Sequence, residues 1–233
     1  MKLSILFGGA SFEHEISIVS AITVKEKLSD FKLSFIFCDG DHNFYLIDSS
    51  KMKATTFSKG EHKKMPQLTL ANGSFVQKSM FGSVEHKSVV LNLIHGADGE
   101  DGTIASLLDF YSIKYIGPRV DASIFSYDKR YTKYLCEARG VRSVKYETQN
   151  VNEHKNMSLD YPVIIKPASL GSSIGVSVVK EEHNLDYALD SAFEYDDNVI
   201  IEPFLVGVKE YNLAGYMANS KMHFSIIEEP QKD

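Results

Sequence analysis

The chain has 233 residues, 43% of them hydrophobic and 24% charged, which is typical of a globular protein with one large domain or two smaller ones. Its formal net charge of −6 argues against a nucleic-acid or anionic-membrane partner, because binding phosphate backbones needs a broad basic surface. Cys38 and Cys136 are far apart and form no CxxC motif, which suits a reducing compartment. No apolar run approaches the ~20 residues of a bilayer span, so we expect a cytoplasmic protein.

The first half of the chain alternates predicted strands with predicted helices. Apolar runs predict three strands, at Leu3 to Phe7, Leu33 to Phe37 and Val89 to Ile94. Helical spacing predicts two helices, at His14 to Leu28 and Thr103 to Tyr111. Residues 43 to 87 have the pattern of short strands and turns, with a hairpin about Asn72 and Gly73. This order indicates an α/β fold with an open parallel sheet.

The pattern breaks at Gly117 and Pro118, where we place a domain boundary. A helix is predicted from Ser126 to Ala138. The smaller unit that follows has two strands around a glycine and serine loop. A helix is then predicted at Glu182 to Phe193, a third strand at Val199 to Glu202, and an antiparallel pair at Tyr211 to Met217 and Lys221 to Ile227. Pro203 is expected to end the third strand.

Two polar segments follow predicted strands of the first half. Gly8 and Gly9 lead to Glu13, and His95 opens the segment HGADGEDG. Carboxyl ends of parallel strands meet at one edge, so we expect the two segments to converge on a ligand site. Glu13 then suits an ammonium group, although it is equally an acid that favours a first helical turn. His95 alone is equally a satisfied strand-end histidine, and Asp101 is equally a helix cap.

Lys166 ends an apolar strand and is followed by a loop of glycine and serine in YPVIIKPASLGSSIGVSVV. Loop glycines let backbone N–H groups approach an anion, serine hydroxyls add donors, and a strand-held lysine supplies a fixed positive charge. The alternating residues after Gly175 predict a second strand, where a Walker-type loop would open a helix. The segment therefore predicts a polyphosphate site, with a plain hairpin as the alternative.

The same loop fits GxSxG, the nucleophile elbow of hydrolases. Ser173 would be the nucleophile, with Asp196 or Asp197 and His223 downstream. An elbow turns from strand into helix, whereas this loop is expected to continue as strand, so the sequence argues against a serine hydrolase.

Three further charged residues lie around this unit. Glu202 closes the third strand, and Glu210 follows it. Acids at this place can receive an adenine amino group or ribose hydroxyls, and the alternative is that they are plain surface acids. Lys129, after the boundary, is a further cation that could serve the same site. The alternative is that it is an ordinary solvated lysine at the surface.

Six segments resemble the D-alanine:D-alanine ligases of the ATP-grasp superfamily, in order and spacing: GGASFEHEIS, HGADGEDGT, YIGP, Asp128-Lys129, VIIKPASLGSSIGVSVV and VIIEPF. The resemblance implies that ATP phosphorylates the carboxylate of one D-alanine and that the amine of a second attacks the acyl phosphate. It implies a Rossmann-like N-terminal substrate domain at 1–117, an α+β ATP-grasp central domain at 118–201 and an incomplete C-terminal ATP-grasp domain at 202–233. It also suggests a homodimer.

The resemblance implies a role for each candidate residue. Glu13 would hold the ammonium of the first D-alanine, His95 would lie by its carboxylate and Ser172 would orient that site, with Glu13 and Ser172 as catalytic residues. The implied ATP site comprises Lys129, Lys166, Gly171, Ser172, Ser173, Glu202, Pro203, Phe204, Leu205 and Glu210.

The chain departs from the family pattern at two places. Pro203 stands where the family commonly has a lysine against adenine. The chain also finishes at Asp233, before the family's arginine and its ligands for Mg²⁺, so we expect no turnover from this form alone.

The alternative function is a binding remnant that holds ATP or D-alanine without catalysis. The second substrate stays open between D-alanine, D-lactate and D-serine.

Overall fold

An eight-stranded sheet forms the first part of the chain in the computed structural model, which describes residues 2–153 and 157–231. Its strands in chain order are Lys2–Gly8 (β1), Lys32–Cys38 (β2), Phe44–Ile47 (β3), Gln67–Ala71 (β4), Ser74–Ser79 (β5), Gly82–His86 (β6), Val89–Asn92 (β7) and Tyr115–Ile116 (β8). Their order in the sheet is β6-β5-β4-β3-β2-β1-β7-β8. β2, β1, β7 and β8 run parallel, whereas β3 to β6 extend the sheet antiparallel. The predicted α/β fold is confirmed, with a mixed sheet in place of a purely parallel one.

Helices pack on both faces of this sheet because successive side chains of a strand point to opposite faces. The helices of this part are His14–Lys27 (α1), Ala54–Ser58 (α2) and Thr103–Phe110 (α3). Phe7 and Phe37 lie with Ile18 of α1 in one core, whereas Leu6 lies with Leu108 of α3 in the other. The two cores bury β1 and its parallel neighbour β7 from both faces, so the loops that follow these strands are fixed at one edge.

A four-stranded antiparallel sheet forms the second part. Its strands are Glu147–Asn150 (β9), Val163–Pro167 (β10), Ser177–Val179 (β11) and Asn198–Pro203 (β12), in the order β11-β10-β12-β9. Three helices accompany it, Val120–Tyr127 (α4), Lys129–Ala138 (α5) and Leu185–Phe193 (α6). Val163 and Ile165 of β10 point into a core with Leu189 of α6, which leaves Lys166 on the opposite face.

A two-stranded hairpin follows, made of Gly215–Ala218 (β13) and Lys221–Phe224 (β14), with Asn219 and Ser220 at its turn. The predicted antiparallel pair is confirmed, but both strands are shorter than predicted. The last two residues of the proposed 202–233 unit lie outside the described residues. None of the helices described here is long and apolar enough to cross a membrane.

The predicted helix from Ser126 to Ala138 is wrong at one point, because the chain breaks between α4 and α5. Asp128 lies there in an extended conformation, and its carboxylate accepts a 2.8 Å hydrogen bond from the Arg130 backbone N–H. Its Oδ2 also binds the Arg130 guanidinium at 2.6 Å. Asp128 thus caps α5, a position that favours aspartate.

We expect Asp128→Ala to lower the free energy of unfolding by about 1–2 kcal/mol, because it removes the helix cap. Burial alone would raise the pKa of Asp128, but the Arg130 hydrogen bonds outweigh it and lower the pKa. This stabilisation is therefore present above the unfolded pKa and is lost as the pH falls through the folded one. Urea unfolding at neutral and acid pH measures both effects. Asp128→Asn keeps a capping oxygen, so an equal loss in both variants would contradict the assignment of the cap.

Candidate active site

The loops after β1 and β7 meet at the carboxyl edge of the first sheet, as predicted. Ser11 Oγ donates to the His95 carbonyl at 2.5 Å, and the Ala10 N–H donates to Asp98 at 3.2 Å. Gly96 has a φ of +71°, and a Cβ there would lie 2.8 Å from Glu13 Oε2. The close approach of the two loops therefore requires glycine at this position.

Glu13 is 6% exposed at this edge, directly before α1. Its Oε1 accepts a 2.5 Å hydrogen bond from Ser172 Oγ of the second part of the molecule. Its Oε2 is buried and has no hydrogen-bond partner within the described residues. A buried carboxylate oxygen is costly to leave unpaired, so the arrangement favours a ligand that donates a hydrogen bond there.

His95 lies beside Glu13 and makes contacts through both ring nitrogens. Ser20 Oγ of α1 lies 3.0 Å from its Nε2, and Glu100 Oε1 lies 3.6 Å from its Nδ1. Burial and the neighbouring Glu13 raise the pKa of Glu100. His42 Nε2 also lies 2.9 Å from Asp98 of this segment, so histidines and acids together line the edge. The acidic side chains favour a ligand with a cationic group.

The glycine and serine loop joins β10 to β11, so the predicted passage from strand to strand is confirmed. Ser172, Ser173 and Gly175 have φ values of +51°, +58° and +67°. A Cβ on Gly175 would lie 2.8 Å from both Pro167 and Tyr195, which requires glycine. The loop reaches across to the first sheet through the Ser172 and Glu13 contact.

The serine hydrolase interpretation is not supported by this geometry. Asp196 accepts hydrogen bonds from the backbone N–H groups of Ser169 and Asn198, so it fixes the chain before the loop. His223 lies on β14 and stacks on Tyr216. Ser173 therefore makes no hydrogen bond with a histidine in the described part of the chain, and no nucleophile elbow is formed.

Lys129 and Lys166 flank the start of the loop. The Lys129 ammonium donates to the carbonyls of Pro167, Ala168 and Leu170, at 2.9, 3.3 and 2.5 Å. Burial and then the nearby Lys166 lower the pKa of Lys129. Two cations lie close enough to repel each other, so the site favours a polyanion.

Glu202 is paired with two lysines. Lys166 Nζ donates to its Oε2 at 2.7 Å, and Lys133 Nζ lies 2.5 Å from its Oε1. Burial alone would raise the pKa of Glu202, but the hydrogen bonds from Lys133 and Lys166 outweigh it and lower the pKa. The carboxylate is therefore held in two ion pairs and is not a plain surface acid.

The remaining candidates follow Glu202 along the chain. Pro203 is the last residue of β12, and the Phe204 N–H donates to the Pro162 carbonyl at 2.8 Å. Leu205 is half exposed and Glu210 lies exposed in the connection between β12 and β13. These residues thus continue along one segment from the end of β12.

Several site residues escaped the sequence analysis. Lys133 stands four positions after Lys129, so helical spacing on α5 was an available signal. Ser20 and Tyr127 had none, because their contacts are tertiary. Tyr127 is half buried near the acids of the first sheet, and burial followed by Asp101 raises its pKa.

Metal ligands are not gathered in this part of the molecule. Over residues 2–153 and 157–231, no group of three histidine, cysteine, aspartate or glutamate side chains is placed to hold a metal ion.

Comparison with known families agrees with the geometry of the site. Residues 2–118 match the family described as D-ala D-ala ligase N-terminus, and residues 135–232 match D-ala D-ala ligase C-terminus. The chain is 73% identical over 233 residues to the D-alanine–D-alanine ligase of Sulfurimonas denitrificans, with 100% of this chain and 68% of that protein covered.

Solved structures give the same result. The structure of the D-alanine–D-alanine ligase of Helicobacter pylori has a TM-score of 0.93 and 50% identity, covering 100% of this chain and 75% of that one. The D-Ala:D-Ser ligase VanG of Enterococcus faecalis has a TM-score of 0.80 and 25% identity, covering 98% and 69%. The two family matches and the 73% identical relative all indicate the same family. The chain belongs to the D-alanine–D-alanine ligase family.

Proposed function

We propose that this chain serves the ATP-dependent ligation of two D-alanines to D-alanyl-D-alanine, through an acyl phosphate, in the synthesis of peptidoglycan precursors. One observation carries the proposal. The hydrogen bond between Ser172 and Glu13 joins the glycine and serine loop, which follows Lys166, to the carboxyl edge of the first sheet. A phosphate donor and an amino acid held at these two places would meet in one cleft.

Glu13 binds the ammonium of the first D-alanine in this proposal. Its buried Oε2 offers a strong acceptor without a protein partner in the described chain, and an ammonium would satisfy it with a charge-assisted hydrogen bond. His95 lies at the same edge, beside the carboxylate that becomes the acyl phosphate. Ser172 keeps Glu13 in place and orients the loop, so Glu13 and Ser172 are the proposed catalytic residues.

Lys129 and Lys166 bind the phosphates of ATP, and Gly171 to Ser173 close over them. The residues fit this co-substrate, because the two half-buried ammonium groups supply positive charge and the positive φ values of the loop expose backbone N–H groups. We place adenine against the segment Glu202 to Leu205, and the ribose against Glu210. Pro203 cannot supply the ammonium that a lysine would place there.

The chemical need for ATP lies in the carboxylate, which is a poor electrophile until one of its oxygens becomes part of a leaving group. A carboxylate oxygen attacks the γ-phosphorus, ADP leaves, and the amine of the second D-alanine then displaces phosphate from the carbonyl carbon. The lysines hold the donor, Glu13 holds the acceptor, and the loop excludes water from the acyl phosphate. The D-serine specificity in the name of VanG leaves the second substrate to be measured.

The family implies Mg²⁺ as well as ATP. The described residues offer no group of three metal ligands, so we assign no step of the reaction to Mg²⁺ within them. We also propose the division at residues 117 and 201, a cytoplasmic location beside the ATP supply, and a homodimer.

We expect the extended protein described below to release ADP and phosphate in a D-alanine-dependent reaction, with formation of the dipeptide. The assay uses this chain and an extended protein, in which the chain is followed by the segment of the Sulfurimonas denitrificans relative that lies beyond the matched region. Parallel reactions with D-lactate or D-serine beside D-alanine identify the second substrate. An extended protein that releases no phosphate would refute the proposal. Calorimetry tests the alternative of a binding remnant, which would bind D-alanine or ATP while the extended protein forms no ADP.

A further inference from the structure

Two lysines hold one carboxylate beside the proposed phosphate site. The side chains of Glu202 and Lys133 are each 13% exposed, whereas that of Lys166 is 27% exposed. An ionised carboxylate so far removed from water is costly when it has no counter-ion. Lys166 is the more open of the two cations, so it is the one that can turn toward a ligand.

Lys133 is fixed at its position by contacts other than Glu202. Its ammonium donates to the Val144 carbonyl at 3.0 Å and lies 5.4 Å from the centre of the Tyr146 ring. It lies one helical turn after Lys129 on α5. The Lys133 ammonium contacts Glu202, whereas the Lys129 ammonium contacts the loop carbonyls. Lys133 is therefore tied to Glu202 and to the backbone rather than to the cleft.

We propose that Lys133 is a positioning residue for ATP, which stays on Glu202 as its counter-ion when Lys166 leaves that carboxylate for the phosphates. The inference rests on the proposed function. Without Lys133, Lys166 would be the only cation that pairs with Glu202 within the described chain. Its transfer to ATP would then strand a buried carboxylate. The cost appears in the affinity for ATP and leaves the affinity for D-alanine unchanged.

The test uses the extended protein and its Lys133→Met, Lys133→Arg, Glu202→Gln and K133M/E202Q variants. Calorimetry with a non-hydrolysable ATP analogue gives the Kd, and steady-state assays give KM for ATP and for D-alanine. We expect K133M to raise the Kd and the KM for ATP by about tenfold or more, with the KM for D-alanine unchanged. K133R keeps the charge and should restore affinity. K133M/E202Q should also restore it, because a neutral amide needs no counter-ion.

A purely structural role for Lys133 predicts a different set of results. Both KM values would then rise together with a loss of stability, and E202Q would not rescue K133M; that outcome overturns the inference. If K133M does not fold, the comparison of K133M/E202Q with E202Q replaces it. Equal affinities of these two variants for ATP support the inference, and a lower affinity of K133M/E202Q than of E202Q contradicts it. A wild-type extended protein without ATP-dependent phosphate release refutes the proposed function itself, whereas an active protein with Lys133-independent ATP affinity refutes this inference alone.

Discussion

Replacing Lys166 by methionine is expected to lower kcat/KM for ATP in the extended protein by about 10²- to 10³-fold, the usual cost of removing one preorganised electrostatic contact. Lys166 lies at the end of β10, where the strand fixes its backbone and the loop to Gly175 begins. Its ammonium bonds to Glu202 and lies near Lys129, so it contributes one of the two cations assigned to the phosphates. Methionine keeps the length and apolar stem of the side chain, so the loss isolates the charge.

Lys180→Met is the matched control for this experiment. Lys180 follows β11 in the same part of the molecule but is exposed. Both variants are compared by circular dichroism and by steady-state kinetics with ATP varied at saturating D-alanine. A Lys166→Met protein that is folded and keeps kcat/KM within a fewfold of the control would exclude Lys166 from the phosphate site.

Glu13→Gln is expected to raise the KM for the first D-alanine by about 10- to 100-fold, because a hydrogen bond to a charged group contributes about 1.5–3 kcal/mol. The amide keeps the shape of the side chain and can still accept from Ser172, whose hydroxyl lies 2.5 Å from Oε1. What it removes is the negative charge facing the ammonium. The KM for ATP should therefore change much less than the KM for D-alanine.

Glu15→Gln serves as the control, since Glu15 is an exposed acid in the first turn of the same helix. It tests whether a general loss of negative charge near α1 accounts for the effect. Initial rates are measured with D-alanine varied over both of its binding phases. Equal KM values for D-alanine in the two variants would show that Glu13 does not bind the substrate ammonium.

The local parts of the fold could be predicted because their causes are local. The apolar alternation of β10 and β11 and the glycines between them specify a strand, a loop and a strand within one segment. The convergence of Gly8 to Glu13 with His95 followed from the geometry of parallel strands alone. β9 was missed because ETQN carries no apolar signal, and it forms only by pairing with β12.

The charge partners at the site could not be predicted, because they depend on contacts between segments far apart in the chain. No sequence pattern indicated that α5 brings Lys133 onto the carboxylate of Glu202. The break at Asp128 was different, since aspartate before a helical pattern is an ordinary cap signal that a continuous helix from Ser126 overlooked. Sequence patterns thus located the loops that we propose to bind ligands, while the pairing of charges around them required the tertiary structure.

Transfer of oxygen between the substrates tests the central claim most directly. The extended protein is given ATP and D-alanine labelled with ¹⁸O in its carboxylate, and the released phosphate is analysed by mass spectrometry. Because a carboxylate oxygen attacks the γ-phosphorus and leaves with it, the account predicts one ¹⁸O in each phosphate released per dipeptide. Phosphate without ¹⁸O, released at the rate of dipeptide formation, would contradict an acyl phosphate formed between the glycine and serine loop and Glu13.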